Sequence, residues 1–197
     1  MLGRESRVEK SRQKEVGGMD FYVVRHAVAH KRDEKLWPDD AERSLTPEGE
    51  ERFRRAAGGI LRFVPEVGLV LSSPYVRAWR TAELLEQRGW PAPVRCEELE
   101  PDCPPHKVLS VLARHEDLHS VAVVGHRPGL HELISYLLTG DTIGEECGAR
   151  VQIKKGGVVR LSFDGIPKPG VGSLEWVLTP KALRAAGGKR RRPVADG

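Results

Sequence analysis

Four short runs of successive apolar residues constrain this chain most: Phe21-Tyr22-Val23-Val24, Leu69-Val70-Leu71, a briefer Val94-Arg95-Cys96, and Val121-Ala122-Val123-Val124. Strands that are apolar on consecutive positions, rather than alternate ones, need cover on both faces. Proline-opened helical patterns supply that cover. The first begins at Thr46-Pro47, a capping hydroxyl with proline in the first turn, and carries Phe53, Ala56, Ala57, Ile60, Leu61 and Val64 as one stripe. The second is expected to open at Ser73-Pro74, with Tyr75, Ala78, Trp79, Ala82 and Leu85 on its buried side. A third opens at Pro105 with Val108, Val111 and Leu112, and a fourth at Pro128 with Leu130, Leu133, Ile134, Leu137 and Leu138. Residues 158–163 and 174–178 alternate more clearly across a Gly/Pro-rich turn, as a hairpin at one sheet edge would. The rhythm predicts an α/β fold: a three-layer α/β/α sandwich on a mostly parallel central sheet.

At 197 residues, one domain is the expected organisation, and 39% apolar with 30% charged residues describes a water-soluble globular chain. No window approaches the ~18 consecutive apolar residues of a membrane-spanning helix, so no membrane partner is expected. The first residues lack the apolar core of an export signal, which predicts a cytoplasmic protein. Cys96, Cys103 and Cys147 are odd in number and form no C-x-x-C pair, against a disulfide framework or a structural zinc site. The net charge of +4 invites a nucleic-acid reading, but the charge sits at the ends. Residues 1–18 hold five basic and three acidic side chains and residues 187–197 four and one, which leaves residues 19–186 at −1. The expected organisation is a polar extension over 1–18, one domain over 19–186 and a basic tail over 187–197, with nucleic acid disfavoured as a partner.

Arg25-His26 follows the first strand, Arg77 lies in the first turn of the helix after the second, and His126 closes the fourth. All three positions fall at the carboxyl ends of sheet strands, where open α/β folds bind ligands beside helix N-termini. Two arginines and two histidines converging there suit a doubly charged anion, and phosphate fits best.

Four segments carry a resemblance: Phe21-Tyr22-Val23-Val24-Arg25-His26, Leu45-Thr46-Pro47-Glu48-Gly49, Ser72 to Glu83 with its S-S-P-x-x-R-A-x-x-T-A pattern, and Val124-Gly125-His126-Arg127-Pro128-Gly129-Leu130. In this order they resemble the histidine phosphatase superfamily, whose fold is phosphoglycerate mutase-like, and within it the short branch of SixA-like phosphohistidine phosphatases. The resemblance implies that His26 attacks phosphorus and is transiently phosphorylated, while Arg25, Arg77 and His126 bind the phosphoryl oxygens, with no metal and no cofactor. Two fixed guanidiniums can neutralise the charge that a metal handles elsewhere. His26 needs one free ring nitrogen, so a backbone carbonyl is expected to hold the other; His126 is expected to act as a charged donor, kept protonated by the bound phosphate.

Two positions depart from the family pattern. Ala27 stands where most relatives have glycine. The general acid of relatives acting on alcohol phosphates falls on Pro101, leaving Glu100 or Asp102 to reach in from beside it. A phosphohistidine substrate depends less on such an acid, because imidazole leaves with a conjugate-acid pKa of ~6.5. The favoured substrate is therefore a phosphorylated protein bearing phosphohistidine; a small phosphorylated molecule, hydrolysed by a phosphomonoesterase of the same superfamily, is the enzyme alternative. A non-catalytic phosphopeptide-binding module is the alternative of another class, disfavoured because it would need no nucleophile. His26 and His30 have metal-ligand spacing only on a helix, and His131-Glu132-Leu133-Ile134-Ser135 lacks the second histidine of a zincin. Arg80, one turn past Arg77, is a candidate either for support behind it or for a substrate contact, and Lys31 and Arg32 are candidates for the substrate's periphery.

Overall fold

The central strand, β1 (Met19–Arg25), shows why its apolar residues are consecutive. Tyr22 and Val24 enter one core while Phe21 and Val23 enter another, on opposite faces of the sheet. The computed structural model describes residues 18–141 and 151–188. After β1 come α1 (Pro47–Phe63), β2 (Leu69–Ser72), α2 (Val76–Glu86), β3 (Val94–Arg95), α3 (Pro105–Leu112), β4 (Ser120–Gly125), α4 (Gly129–Thr139), β5 (Val158–Phe163), β6 (Ser173–Leu178) and α5 (Pro180–Gly187). Helices α1, α2 and α5 close the core on the Tyr22 face, and α3 and α4 close the other. Ile60 and Leu85 on one side and Leu112 and Leu137 on the other are fully buried, each contributing about 1.5–3 kcal/mol.

The six strands run in the order β3-β2-β4-β1-β5-β6. Pairs β3-β2, β2-β4 and β4-β1 are parallel, whereas β1-β5 and β5-β6 are antiparallel, so the expected hairpin adds the antiparallel edge. From β1 the chain passes through α1 to β2 on one side, and from β4 through α4 to β5 on the other. The loops leaving β1 and β4 thus diverge onto opposite faces and open a crevice at their carboxyl ends.

Three local expectations change. Helix α2 starts at Val76, not at Ser73-Pro74, because Ser73 is used in the preceding turn, where its Oγ accepts the Tyr75 N–H at 3.3 Å. Trp79 is only half-buried, with the Arg95 guanidinium 5.1 Å from its ring centroid, and Leu84 takes a core place instead. Helix α5 was not anticipated, although Thr179-Pro180 repeats the start of α1: Thr179 Oγ1 accepts the Ala182 N–H at 3.3 Å, as Thr46 Oγ1 accepts that of Gly49 at 3.0 Å. It packs on α1 almost backbone to backbone; a Cβ on Gly59 would lie 1.9 Å from the Leu183 carbonyl oxygen. Helix α5 ends at Gly187, one residue beyond the expected domain end. Residues 1–17, most of the basic tail (189–197) and Cys147 lie outside the described residues.

Candidate active site

Backbone hydrogen bonds tie three strand ends together. The His26 N–H donates to the Gly125 carbonyl at 3.1 Å and the Ser73 N–H to that of Val124 at 2.9 Å, so the residues just past β1, β2 and β4 are neighbours. The Gly156 N–H donates to the carbonyls of Arg25 and His26 at 2.9 and 3.1 Å, fixing the same turn from the β5 side. Two sequence patterns serve this turn. Thr81 Oγ1 donates to the Arg77 carbonyl at 2.7 Å and accepts the Ala27 N–H at 3.0 Å, which explains a threonine four residues after the arginine. Gly49 lets α1 approach the same loop, because a Cβ there would sit 2.1 Å from the Val28 carbonyl oxygen.

His26 is 5% exposed and its Nδ1 lies 2.7 Å from the Ala27 carbonyl oxygen. A carbonyl only accepts, so Nδ1 carries the proton and Nε2 presents its lone pair. Burial, with the charges of Arg77, Arg25 and Lys155 adding to it, pushes the His26 pKa down to about 3 against the opposing Ala27 contact. The ring is therefore neutral near pH 7. The His126 ring centroid is 5.1 Å away, its Nε2 is 2.9 Å from Ser73 Oγ, and the Tyr75 ring packs edge-on at 5.2 Å. Burial first, then His26, Arg77, Arg43 and Arg25, pushes its pKa down to about 2. The protein's own groups thus hold His126 neutral, against the charged form expected with phosphate bound; a bound dianion is the kind of charge that reverses this preference.

Both arginines are held by backbone. Arg25 Nη1 donates to the Ile153 carbonyl at 2.8 Å, and Arg77 Nη1 to that of Asp40 at 2.6 Å, with Nη2 2.9 Å from Asp40 Oδ2 and the guanidinium over the Tyr75 ring at 4.9 Å. Among the described residues, the buried side-chain nitrogens without a hydrogen-bond partner are Arg25 Nε, Arg77 Nε and His126 Nδ1. An unsatisfied buried polar group costs about 1–3 kcal/mol, and these three belong to one cluster of cationic and imidazole groups. Such a cluster suits an oxyanion with several acceptor oxygens.

The family model described as histidine phosphatase superfamily (branch 1) matches residues 21–100, which include His26 and Arg77. An uncharacterized protein of Picosynechococcus sp. is 30% identical over 146 residues, 73% of this chain and 84% of that one. The chain belongs to the histidine phosphatase superfamily. Among solved structures, the protein histidine phosphatase SixA complexed with tungstate superposes with a TM-score of 0.69 at 25% identity, covering 84% of this chain and 99% of its own. A phosphoserine phosphatase mutant from Entamoeba histolytica, in complex with phosphoserine, gives 0.59 at 15% identity over 84% and 99% of the two chains, a likeness of fold.

Within this histidine phosphatase domain the remaining candidates separate. Arg80 pairs with Glu50 of α1 and, at 2.9 Å, with Glu83, in an ion cluster that joins α1 to α2. Lys31 and Arg32 are exposed. His131 is buried and its Nε2 accepts the Ile153 N–H at 3.1 Å, a structural use. Among the described residues, no three His, Cys, Asp or Glu side chains gather as metal ligands. Glu100 lines a small cavity of about 10 Å³ together with His126, whereas Asp102 is exposed in a left-handed turn at φ 65°. Of the two carboxylates, Glu100 is the one on the site side.

Two groups that sequence reasoning passed over also belong here. Arg43 Nε lies 2.8 Å from Asp40 Oδ1 and its Nη1 donates to the His30 carbonyl at 2.8 Å, and its charge acts on both Arg77 and His126. Asp40 sits between the two guanidiniums. Both residues belong to a single 3-10 turn, Asp40–Glu42 with Arg43 as its C-cap, which buries no side chain and so leaves no apolar pattern in the sequence.

Proposed function

We propose that this histidine phosphatase hydrolyses phosphohistidine in proteins, without a metal, through a phosphoryl intermediate on His26 Nε2. The observation that carries the reading is the pairing of an imidazole locked by the Ala27 carbonyl with the unpartnered nitrogens of Arg25, Arg77 and His126. In the first step the substrate's imidazole, protonated by solvent at its far ring nitrogen, leaves as neutral imidazole when its P–N bond breaks and Nε2 bonds to phosphorus. Phosphorylated His26 is then an imidazolium, because Nδ1 keeps its proton. Water then attacks the phosphorylated His26, releases inorganic phosphate and restores the neutral ring. The guanidiniums and His126 bind the phosphoryl oxygens throughout, and binding that strengthens as charge spreads over those oxygens lowers the barrier. The SixA likeness supports the substrate class, as does proline at the usual acid position.

A small-molecule phosphomonoesterase is the second reading, and the observation that favours it is Glu100 beside His126. A substrate panel in the presence of chelator decides between them. The phosphohistidine reading expects a phosphohistidine peptide to be hydrolysed fastest, aryl phosphate next and phosphoserine peptide slowest, with Glu100→Gln nearly silent on the first. Equal rates on the two peptides, with a large loss in the Glu100→Gln variant, would transfer the assignment to phosphomonoesters. Loss of activity with EDTA and recovery with Mg²⁺ or Zn²⁺ would contradict the metal-free mechanism.

A further inference from the structure

Beside the phosphoryl clamp lies a cavity of about 340 Å³ that the chemistry above does not use. It opens off the nucleophile's own backbone: Ala27, whose carbonyl holds the His26 ring, lines it, as does Gly156, whose N–H donates to the His26 carbonyl. Five cationic side chains surround it, Arg52 from α1, Lys154 and Lys155 from the turn before β5, and Lys181 and Arg184 from α5. No acidic residue is among its lining. None of the five forms an ion pair among the described residues, although residues 19–186 as a whole carry a net charge of −1. Phe53, Ala56, Val28 and Pro180 give it apolar walls.

We propose that this cavity binds an acidic-apolar segment of the protein substrate flanking its phosphorylated histidine, which rests on the phosphohistidine reading above. In the clamp, the buried Arg77 and the half-buried Arg25 are each pinned by a main-chain carbonyl. The cavity differs on each count. Lys154, Lys155, Lys181 and Arg52 are exposed, come from three separate elements, and line the cavity together with an apolar wall. That arrangement suits carboxylates carried on a chain that also has an apolar side chain to bury, better than a compact second phosphate. Lys155 joins the two regions, since its charge is felt by His26 and, although the residue is exposed overall, partial desolvation of its ammonium together with Arg25, Arg43 and Arg77 lowers its own pKa.

The test uses the full chain with an aryl phosphate as reporter substrate and unphosphorylated Glu/Leu peptide as competitor. The proposal expects that peptide to inhibit competitively, its Gln/Leu counterpart to inhibit at least about tenfold more weakly, and added salt to weaken the effect. The Lys181→Glu/Arg184→Glu double variant should lose inhibition by about tenfold while turning over aryl phosphate within about twofold of the parent, which also reports that it has folded. Equal inhibition by the two peptides, or inhibition unchanged in the double variant, would overturn the proposal. So would inhibition by tripolyphosphate that needs Lys181 and Arg184 when the acidic peptide has none, because the occupant would then be a small polyanion. Phosphohistidine peptides are assayed separately. If they are not hydrolysed while acidic-peptide inhibition behaves as described, the reaction assignment fails and the surface stands.

Discussion

The clamp and the basic cavity are both cationic and share the loop after β1, yet they treat charge in opposite ways. In the clamp, Arg77 is 3% exposed and both arginines are pinned by main-chain carbonyls, so position is fixed before anything binds. Around the cavity the cations are mainly exposed and free of ion pairs among the described residues. Charge in a poorly solvated place acts strongly and is little screened, whereas exposed charge acts weakly and is subject to salt. On the proposed reading, the clamp's charge sets rate and the cavity's exposed charge sets the choice of partner.

Changes in the clamp should cost most. His26→Ala is expected to lower kcat by ~10³ or more while phosphate or vanadate still binds, since Arg25, Arg77 and His126 remain. A variant that keeps a tenth of the parent rate would remove His26 from the mechanism. Arg77→Ala should lower kcat/KM by ~10²–10³ and weaken vanadate binding as well. Arg77→Lys should recover little, because an ammonium cannot meet the Asp40 carbonyl and present a second edge to phosphate.

Stability should follow the same division. His26 and His126 have folded pKa values of about 3 and about 2, against ~6.5 unfolded. Between these values the unfolded chain binds more protons, so stability rises with pH through the window, is fully present above ~6.5, and is lost as pH falls. From pH 7.5 to 5 each histidine should remove about 2 kcal/mol, read as a lower urea midpoint, with His126→Gln flattening the dependence. A midpoint unchanged across that range would mean that neither ring is held neutral. An effect smaller than that of the two histidines together is expected at Thr81, where valine keeps the shape but leaves the Ala27 N–H without an acceptor. Thr81→Val should cost about 1–3 kcal/mol and reduce kcat, while inhibition by acidic peptide stays unchanged.

How much of this was legible in the sequence depended on how local the signal was. The strands announced themselves because doubly covered β1 and β4 are apolar at every central position, and the α1 start because Thr46-Pro47 is a complete cap. His26, Arg25, Arg77 and His126 stood at strand ends, where topology alone brings them together. Helix α5 carried the same cap at Thr179-Pro180 but had a single fully buried side chain, Leu183, and so no stripe to detect. Arg43 and Asp40 meet across one 3-10 turn, too short and too exposed to leave an apolar pattern. The cavity was the least legible, because Arg52, Lys154 and Lys181 each resemble an ordinary solvated cation until α1, α5 and the β5 turn converge.

The central claim is that phosphorus is transferred to His26, and trapping that intermediate tests it most directly. The protein is mixed with labelled phosphoramidate, quenched rapidly without acid, and the label is mapped. The account predicts label on the peptide containing Val24-Arg25-His26, in a bond stable to alkali and labile to acid, and none in His26→Ala. Steady turnover with no label on His26, or label that persists in the His26→Ala chain, would contradict it.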